Sequence, residues 1–294
     1  MRNSHKALLF LALTFVLTWG VQIAGWGLGA SKSPGLGLAV IFTSMFGPAV
    51  AALICAVTFE KGQRLAALGL SFRPNRFWLL AWAIPLGLAS TSVAFTLLLT
   101  DIGFTDPAAQ TIAAVAAQAG AAKADQLRAL PWLSLAIIGG AICVGPLINT
   151  LILTFSEELG WRGYLHHLWR PSGFWRASLA TGVIWGIWHA PVILLFGHNY
   201  PDDRGVGAIL FVGFCTLLAP IMTWLRDRGA SVWAAGIAHG TINAFGSLTV
   251  LALGNAAFPW NGLIGIGGFL ALAFGVGTIA MLAKLPRRTQ IATG

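Results

Sequence analysis

Two adjacent carboxylates, Glu157 and Glu158, follow a long apolar segment in the stretch FSEELGWRGYL, residues 155–165. The chain contains only three glutamates, so this pair concentrates most of that residue type at one place. Arg162 follows Glu158 at i+4, the spacing of an ion pair on one helix face. Such a pair would hold Glu158 charged, and this leaves Glu157 to take a proton from water as a general base.

Three further polar residues lie in other apolar segments. His189 is part of WGIWHAP, and His239 and Asn243 lie four residues apart in IAHGTINAF, on one face of a helix. An imidazole can orient an attacking water molecule, and an amide with a ring N–H can donate to a developing oxyanion. With Glu157, these groups make up the chemistry needed for water to attack an amide without a covalent intermediate.

The composition explains why such polar groups are unusual here. Hydrophobic residues make up 57% of the 294 positions and charged residues 9%, whereas a soluble domain carries about 25% charged residues. The chain therefore folds in a bilayer. Its net charge of +9 is explained by basic loops, and no nucleic-acid partner is expected. Cys55, Cys143 and Cys215 lie in apolar runs without CxxC spacing, so neither disulfides nor a zinc site is predicted.

Apolar segments long enough to cross a bilayer recur along the whole chain. The first is longer than the apolar core of a signal peptide and is interpreted as a retained span. The sequence predicts an all-α fold, a polytopic transmembrane helix bundle with about eight spans and both termini inside. We expect one integral membrane domain over residues 1–294, with a catalytic core at about 150–250. The predicted spans lie near 7–29, 36–59, 77–99, 132–155, 177–196, 206–225, 230–253 and 261–283.

The distribution of basic residues predicts the orientation. With the N-terminus in the cytosol, 14 of the 18 Lys and Arg residues fall on the cytosolic side, as the positive-inside rule requires. Glu157 would then lie near the cytosolic edge of the fourth span. If that helix continues through Leu165, the glutamates lie several ångströms inside instead, and the polar groups can converge in a cavity open to the cytosol. The longest connection, residues 100–131, is Ala-rich and predicts one or two short helices on the membrane surface, with a lid as the alternative.

The three motifs resemble those of a known family. EELGWR matches the EExxxR motif of the CPBP family of intramembrane glutamic proteases, also called the Abi or CAAX-protease family, and HGTIN matches its HxxxN motif. WGIWH resembles the family's FxxxH motif, with Trp185 in place of the usual Phe. The motifs occur in the family's order over roughly residues 150–250.

The resemblance implies an eight-helix, metal-independent endopeptidase without a cofactor, with its site in the membrane and open to the cytosol. By motif, Glu157 matches the general base and His189 the water-orienting residue. His239 and Asn243 match the oxyanion partners, and Glu158 with Arg162 the supporting pair. Eukaryotic relatives remove the C-terminal tripeptide of prenylated CaaX proteins. The expected partners are membrane lipids and a peptide or protein substrate, and the expected location is a bacterial inner membrane.

Other hypotheses are compatible with the same residues. A Glu–Arg pair at a helix end or a His/Asn pair in a span can simply join helices. A zinc protease would use two His and a Glu, but no HExxH motif is present. Buried carboxylates and histidines also form proton relays in transporters, although no internal repeat is visible. A non-proteolytic scaffold or a bacteriocin-immunity protein is the remaining alternative.

Overall fold

The computed structural model describes residues 2–254 and 256–284, and these residues form α-helices with no strand among them. The predicted all-α class is confirmed. The helices are α1 (Asn3–Gly27), α2 (Pro34–Ser44), α3 (Gly47–Phe59), α4 (Arg64–Ala67), α5 (Arg76–Leu99), α6 (Pro107–Ala119), α7 (Ala121–Arg128), α8 (Leu133–Gly139), α9 (Gly145–Leu153), α10 (His166–Trp169), α11 (Phe174–Trp188), α12 (Ala190–Phe196), α13 (Arg204–Gly229), α14 (Val232–Ala252) and α15 (Ile266–Lys284). π-Helical segments at Gly140–Val144 and Thr154–Leu165 join α8, α9 and α10 into one helical run.

Each of the eight predicted spans coincides with helix in the described part of the chain. Six helical runs are long and apolar enough to cross a membrane: Asn3–Gly27, Pro34–Phe59, Arg76–Leu99, Leu133–Ser172, Phe174–Phe196 and Arg204–Gly229. The last two predicted spans correspond to α14 and α15, which are helical but outside this set. The count of eight therefore stays a prediction.

One end of the bundle, which we call the basic end, gathers the loops rich in Lys and Arg. Here α1, α5, α11 and α14 begin, and α3 and α13 end. Lys6 Nζ lies 2.7 Å from Glu60 Oε1, so α1 and α3 are joined by an ion pair. Asn75 Nδ2 donates to the Arg228 carbonyl at 3.3 Å, which ties the start of α5 to the end of α13.

The opposite end, which we call the far end, is held by fewer charged groups. Here Tyr200 Oη donates to the Ile264 carbonyl at 2.9 Å.

Segment 100–131 lies at this end and contains α6 and α7, so its predicted helices are confirmed; a position on the membrane surface and a lid role stay predictions. Asp106 caps α6, and hydrogen bonds from Ser134 Oγ and then the Ala108 N–H hold the pKa of its carboxyl below the ordinary value. The expected cytosolic C-terminus relied on Arg287 and Arg288, which lie outside the described residues.

Glycines allow the helices that carry the motifs to approach closely. A Cβ added at Gly160 would lie 2.8 Å from the Pro48 carbonyl oxygen, and one added at Gly240 would lie 2.6 Å from the Thr150 nitrogen. These two glycines stand inside the EELGWR and HGTIN motifs. Their place in the motifs is therefore explained by backbone packing against α3 and α9.

Gly182 offers a test of this packing. A Cβ there would lie 2.7 Å from Thr216 Cα and 2.8 Å from the Cys215 carbonyl oxygen on α13. We expect Gly182→Ala to cost about 1–3 kcal/mol, because the facing atoms belong to backbone that cannot rotate away. The measurement is the melting temperature of the purified protein in detergent.

Gly87→Ala in α5 is the matched control, because nothing lies within 4 Å of a Cβ built at Gly87. It should leave the melting temperature unchanged or raise it slightly, since Ala has the higher helix propensity. Equal melting temperatures for the two variants would contradict the packing argument.

Candidate functional site

The two glutamates lie in the π-helical segment Thr154–Leu165, which is buried except for Phe155. π-Helical turns are rare and occur often at functional sites. Glu157 is 3% exposed and Glu158 fully buried, so neither carboxylate lies at the edge of a span. The helical run continues to Ser172, which moves both glutamates into the bundle.

Glu158 is held by two cationic or potentially cationic groups. Arg162 Nη1 donates to Glu158 Oε1 at 3.0 Å, and His239 Nδ1 lies 2.9 Å from the same oxygen. The guanidinium also lies over the indole of Trp185, with its carbon 4.3 Å from the ring centroid. A buried carboxylate requires such partners, because an unpaired charge in a low-dielectric interior is very costly. The predicted i+4 pair of Glu158 and Arg162 is confirmed.

Glu157 faces a different helix and has a different partner. The indole Nε1 of Trp185 on α11 donates to Glu157 Oε2 at 2.8 Å. Successive positions on a helix point in different directions, so one carboxylate of the pair meets α14 and the other meets α11. Arg162 therefore binds Glu158, while Glu157 keeps one carboxylate oxygen for another partner.

The predicted span over 177–196 corresponds to the helical run Phe174–Phe196, and His189 lies at a break within that run. Helix α11 ends at Trp188 and α12 begins at Ala190, with His189 at the break. The reason is Pro191, which lacks an N–H and whose ring clashes with the carbonyl four residues earlier. Nδ1 of His189 lies 2.7 Å from the Trp185 carbonyl oxygen, which can only accept, so Nδ1 carries a proton. In the neutral ring Nε2 is then an acceptor.

A cavity of about 310 Å³ brings the predicted residues together. Glu157, His189, His239 and Asn243 all line it, although they come from three separate helical runs. Their predicted convergence is thus present in the structure. Glu158 and Arg162 lie behind the cavity wall and act on it through His239 and Trp185.

The sequence did not indicate several other residues that line the cavity. Two come from the N-terminal helices: Gln22 Nε2 donates to Ser44 Oγ at 3.0 Å, and both side chains are buried. His198 and Asn199, in the loop after α12, line it as well. The polar Gln22 within the first apolar run was the one sequence signal for these lining residues. His198 and Asn199 gave no signal in the sequence, because only folding brings their loop to the cavity.

The segment YLHHLWR lies at the end of an apolar span, a position that predicts contacts of His166 and His167 with lipid headgroups. For His166 this prediction is wrong, because His166 is 5% exposed and its Nε2 lies 2.9 Å from Asp227 Oδ1. This contact joins the end of the glutamate-bearing run to the end of α13. His166 therefore helps to close the basic end of the bundle.

A bound metal ion would require a group of His, Cys, Asp or Glu side chains placed around one point. Within residues 2–254 and 256–284, no group of three or more His, Cys, Asp or Glu side chains is placed to hold a metal ion. The ring nitrogen of His239 that faces Glu158 and the ring nitrogen of His189 that faces a carbonyl are both already engaged.

Comparison with known proteins gives two matches. The family model described as "Type II CAAX prenyl endopeptidase Rce1-like" matches residues 125–245, a segment that contains all six site residues predicted from the motifs. A curated relative from Methanococcus maripaludis, named CAAX prenyl protease 2, is 33% identical over 106 residues. That match covers 33% of this chain and 38% of the relative. The resemblance predicted from the three motifs is confirmed, and the apolar helices with this match indicate an integral membrane protein.

The buried ion pair can be tested by stability. Replacement of Arg162 by Met leaves Glu158 buried without its strongest partner, and this should cost about 3–5 kcal/mol. The melting temperature in detergent should fall clearly. Breaking the exposed Asp125–Arg128 pair by Arg128→Met serves as the control, because exposed pairs contribute about 0–1 kcal/mol. Similar losses in both variants would show that burial of the Glu158 charge does not matter.

Proposed function

We propose, from the match of residues 125–245 to the type II CAAX prenyl endopeptidase Rce1-like family, that this protein is an intramembrane glutamic endopeptidase. The observation that supports it most is that the two glutamates have different hydrogen-bond partners. Arg162 and His239 bind Glu158, whereas Glu157 lines the cavity with one oxygen fixed by Trp185. A carboxylate presented in this way is suited to general-base catalysis.

In the proposed reaction, Glu157 takes a proton from a water molecule, and the oxygen of that water bonds to the carbonyl carbon of the substrate. The carbonyl oxygen becomes an oxyanion. Protonated Glu157 then gives its proton to the leaving nitrogen as the C–N bond breaks. The products are a carboxylic acid and an amine, which become a carboxylate and an ammonium group by proton transfer, and neither a covalent intermediate nor a metal ion takes part.

His239 and Asn243 are assigned to the oxyanion. Both line the cavity on one face of α14. Nδ1 of His239 lies 2.9 Å from Glu158 Oε1, and this contact fixes the ring while Nε2 is left for the cavity. Nε2 can donate to the oxyanion when it carries a proton. Glu158 thus supports the oxyanion donor as well as the ion pair.

His189 is assigned to the attacking water. Its Nδ1–H is engaged by the Trp185 carbonyl, so the neutral Nε2 can accept a hydrogen bond from water. Aromatic rings of Trp188 and Phe211 contact the imidazole, with centroids 4.6 and 4.7 Å from it. They limit its rotation and keep the acceptor nitrogen at the cavity.

Two finer features of the substrate were expected from the sequence. The first is a CaaX-type tripeptide on a lipidated protein, and the printed name of the Methanococcus maripaludis relative supports this class. The second is a cleavage site near the cytosolic side of a bacterial inner membrane.

Glu157→Gln tests the proposed base. The amide cannot accept the proton of water, so peptide cleavage should fall by at least about 10²-fold. The measurement is the set of new C-termini in membrane proteins from cells with the wild-type protein or the variant. Synthetic peptides with and without a prenyl group, cleaved by purified protein, then define the substrate class.

Glu60→Gln is the matched control, because Glu60 lies at the basic end beside Lys6 and outside the cavity. It should keep wild-type cleavage, and cleavage should persist in the presence of a chelator. Unchanged cleavage by Glu157→Gln with intact folding would refute the glutamic mechanism. Loss of cleavage on chelation, reversed by zinc, would favour the metalloprotease hypothesis.

Trp185→Phe tests the hydrogen bond that fixes Glu157. The Phe ring can still lie beneath Arg162, but Glu157 Oε2 loses its donor. A buried polar group left unpaired costs about 1–3 kcal/mol, so kcat/KM should fall roughly tenfold or more. Steady-state kinetics on the cleaved peptide provide the measurement.

Trp188→Phe removes an indole N–H from the same cavity wall. In the described structure that N–H is buried and donates to no group, so its removal should cost clearly less activity than Trp185→Phe. Equal losses in the two variants would show that the Trp185–Glu157 hydrogen bond does not position the base.

A further inference from the structure

One wall of the cavity comes from the N-terminal helices, outside the segment 125–245 that the family model matches. We call it the α1–α2 wall, and it consists of Gln22, Ile41, Ser44 and Met45. Gln22 lies on α1, whereas the other three lie at the end of α2 with spacings of three and four residues, on one face of that helix. None of the four belongs to the three motifs, and the proposed reaction uses none of them.

A hydrogen bond fixes this wall against the break between α11 and α12. The indole Nε1 of Trp19 donates to the Trp188 carbonyl at 3.0 Å, one residue before His189. Gln22 follows Trp19 by three residues and so lies on the same face of α1. The cavity, at about 310 Å³, is near the lower limit of ligand pockets, which is about 300 Å³. A peptide segment that reaches Glu157 in so small a space therefore also meets Gln22.

The hydrogen bonds of Ser44 determine how the amide of Gln22 is turned. Ser44 Oγ has one proton and donates it to the Ile41 carbonyl at 2.8 Å. Toward Gln22 this oxygen can therefore only accept, so the amide nitrogen faces it, with Nε2 3.0 Å from Oγ. The carbonyl oxygen Oε1 of Gln22 is then the end of the amide that points away from Ser44.

Gln22 Oε1 is a buried acceptor with no hydrogen-bond partner among the residues that the structure describes. The side chain is 2% exposed, so bulk water does not hydrate this oxygen. Because a buried acceptor without a donor is costly, such an atom beside a cavity indicates that a ligand supplies the donor. The donors that every peptide segment carries are its backbone N–H groups.

We propose that Gln22 is a substrate-binding residue, whose Oε1 accepts a backbone N–H of the peptide segment in the cavity. Its use in cleavage rests on the proposed function, whereas the binding of a peptide does not. Ile41 and Met45 line the cavity on the same wall with apolar side chains. The peptide residue bound there should therefore carry an apolar side chain. The α1–α2 wall is thus a subsite for one backbone N–H and one apolar side chain.

A purely structural role would predict a different result, because Gln22 and Ser44 would then only join α1 to α2. Thr18 provides the comparison: its Oγ1 donates to the Ser44 carbonyl at 3.1 Å and joins the same two helices. Thr18 is fully buried and does not line the cavity. With a structural role alone, Gln22→Met and Thr18→Ala would both lower the melting temperature and leave peptide binding unchanged.

Ester bonds in the peptide test the proposed contact. The probe is a synthetic prenylated CaaX-type peptide, and in each analogue one backbone N–H outside the cleaved bond is replaced by an ester oxygen. Binding is measured in detergent with the Glu157→Gln protein, so that no probe is consumed. One ester should raise Kd about tenfold, because it removes the donor to Gln22 Oε1. When Gln22→Met is added, the same ester should change Kd by less than about twofold.

Thr18→Ala in the same background is the control and should keep the full sensitivity to that ester. Ser44→Ala allows the amide to turn and should reduce the sensitivity, so this variant decides the question if Gln22→Met does not fold. Equal sensitivity to every ester with and without these changes at Gln22 and Ser44 would overturn the proposal. A loss of peptide binding in Thr18→Ala as large as that in Gln22→Met would also overturn it.

Cleavage kinetics separate this subsite from the proposed reaction. With Glu157 intact, Gln22→Met should raise KM about tenfold and change kcat less, since the contact is made both before and during the reaction. Normal cleavage without the ester effect would refute the subsite and leave the protease activity standing. Ester-sensitive binding of a probe that the wild-type protein never cleaves would refute the protease activity and leave the subsite standing. Absence of both binding and cleavage would refute both.

Discussion

The site depends on one interaction, the burial of Glu158 against Arg162 and His239. A carboxylate without exposure to water is tolerated only when nearby cations and donors replace its hydration. This requirement draws α14 toward the glutamate-bearing run and fixes the ring of His239. Because Arg162 also lies on Trp185, the same cation positions the residue that binds Glu157. The ion pair thus organises three helical runs around the cavity.

Residue 185 is Trp where the FxxxH motif of the resembled family has Phe, and this difference changes what can contact Glu157. A phenyl ring can fill the same wall and stack on a guanidinium, but only an indole can donate to Glu157. In the sequence, the departure keeps an aromatic residue at this position. In the structure, it supplies a hydrogen bond to Glu157, whereas Glu158 is bound by Arg162 and His239.

The two ends of the bundle are organised differently. At the basic end, ion pairs and hydrogen bonds such as His166–Asp227 and Lys6–Glu60 close the helices against one another. At the far end, a loop and the end of α14 leave the cavity exposed. The N-terminal helices take part in this arrangement through Gln22 and Ser44, so the cavity is not formed by the motif-bearing segment alone.

The sequence by itself determined the helical class, the membrane environment, the segments that become helix and the choice of Glu157, His189, His239 and Asn243 as candidate site residues. These follow from local properties, because hydropathy, charge and i+4 spacing act within a few residues. The indole bond to Glu157, the burial of His166 and the exposed end of the cavity were decided only by tertiary structure. Each depends on which residues of distant helices meet, and apolar spans carry almost no pattern that specifies their neighbours.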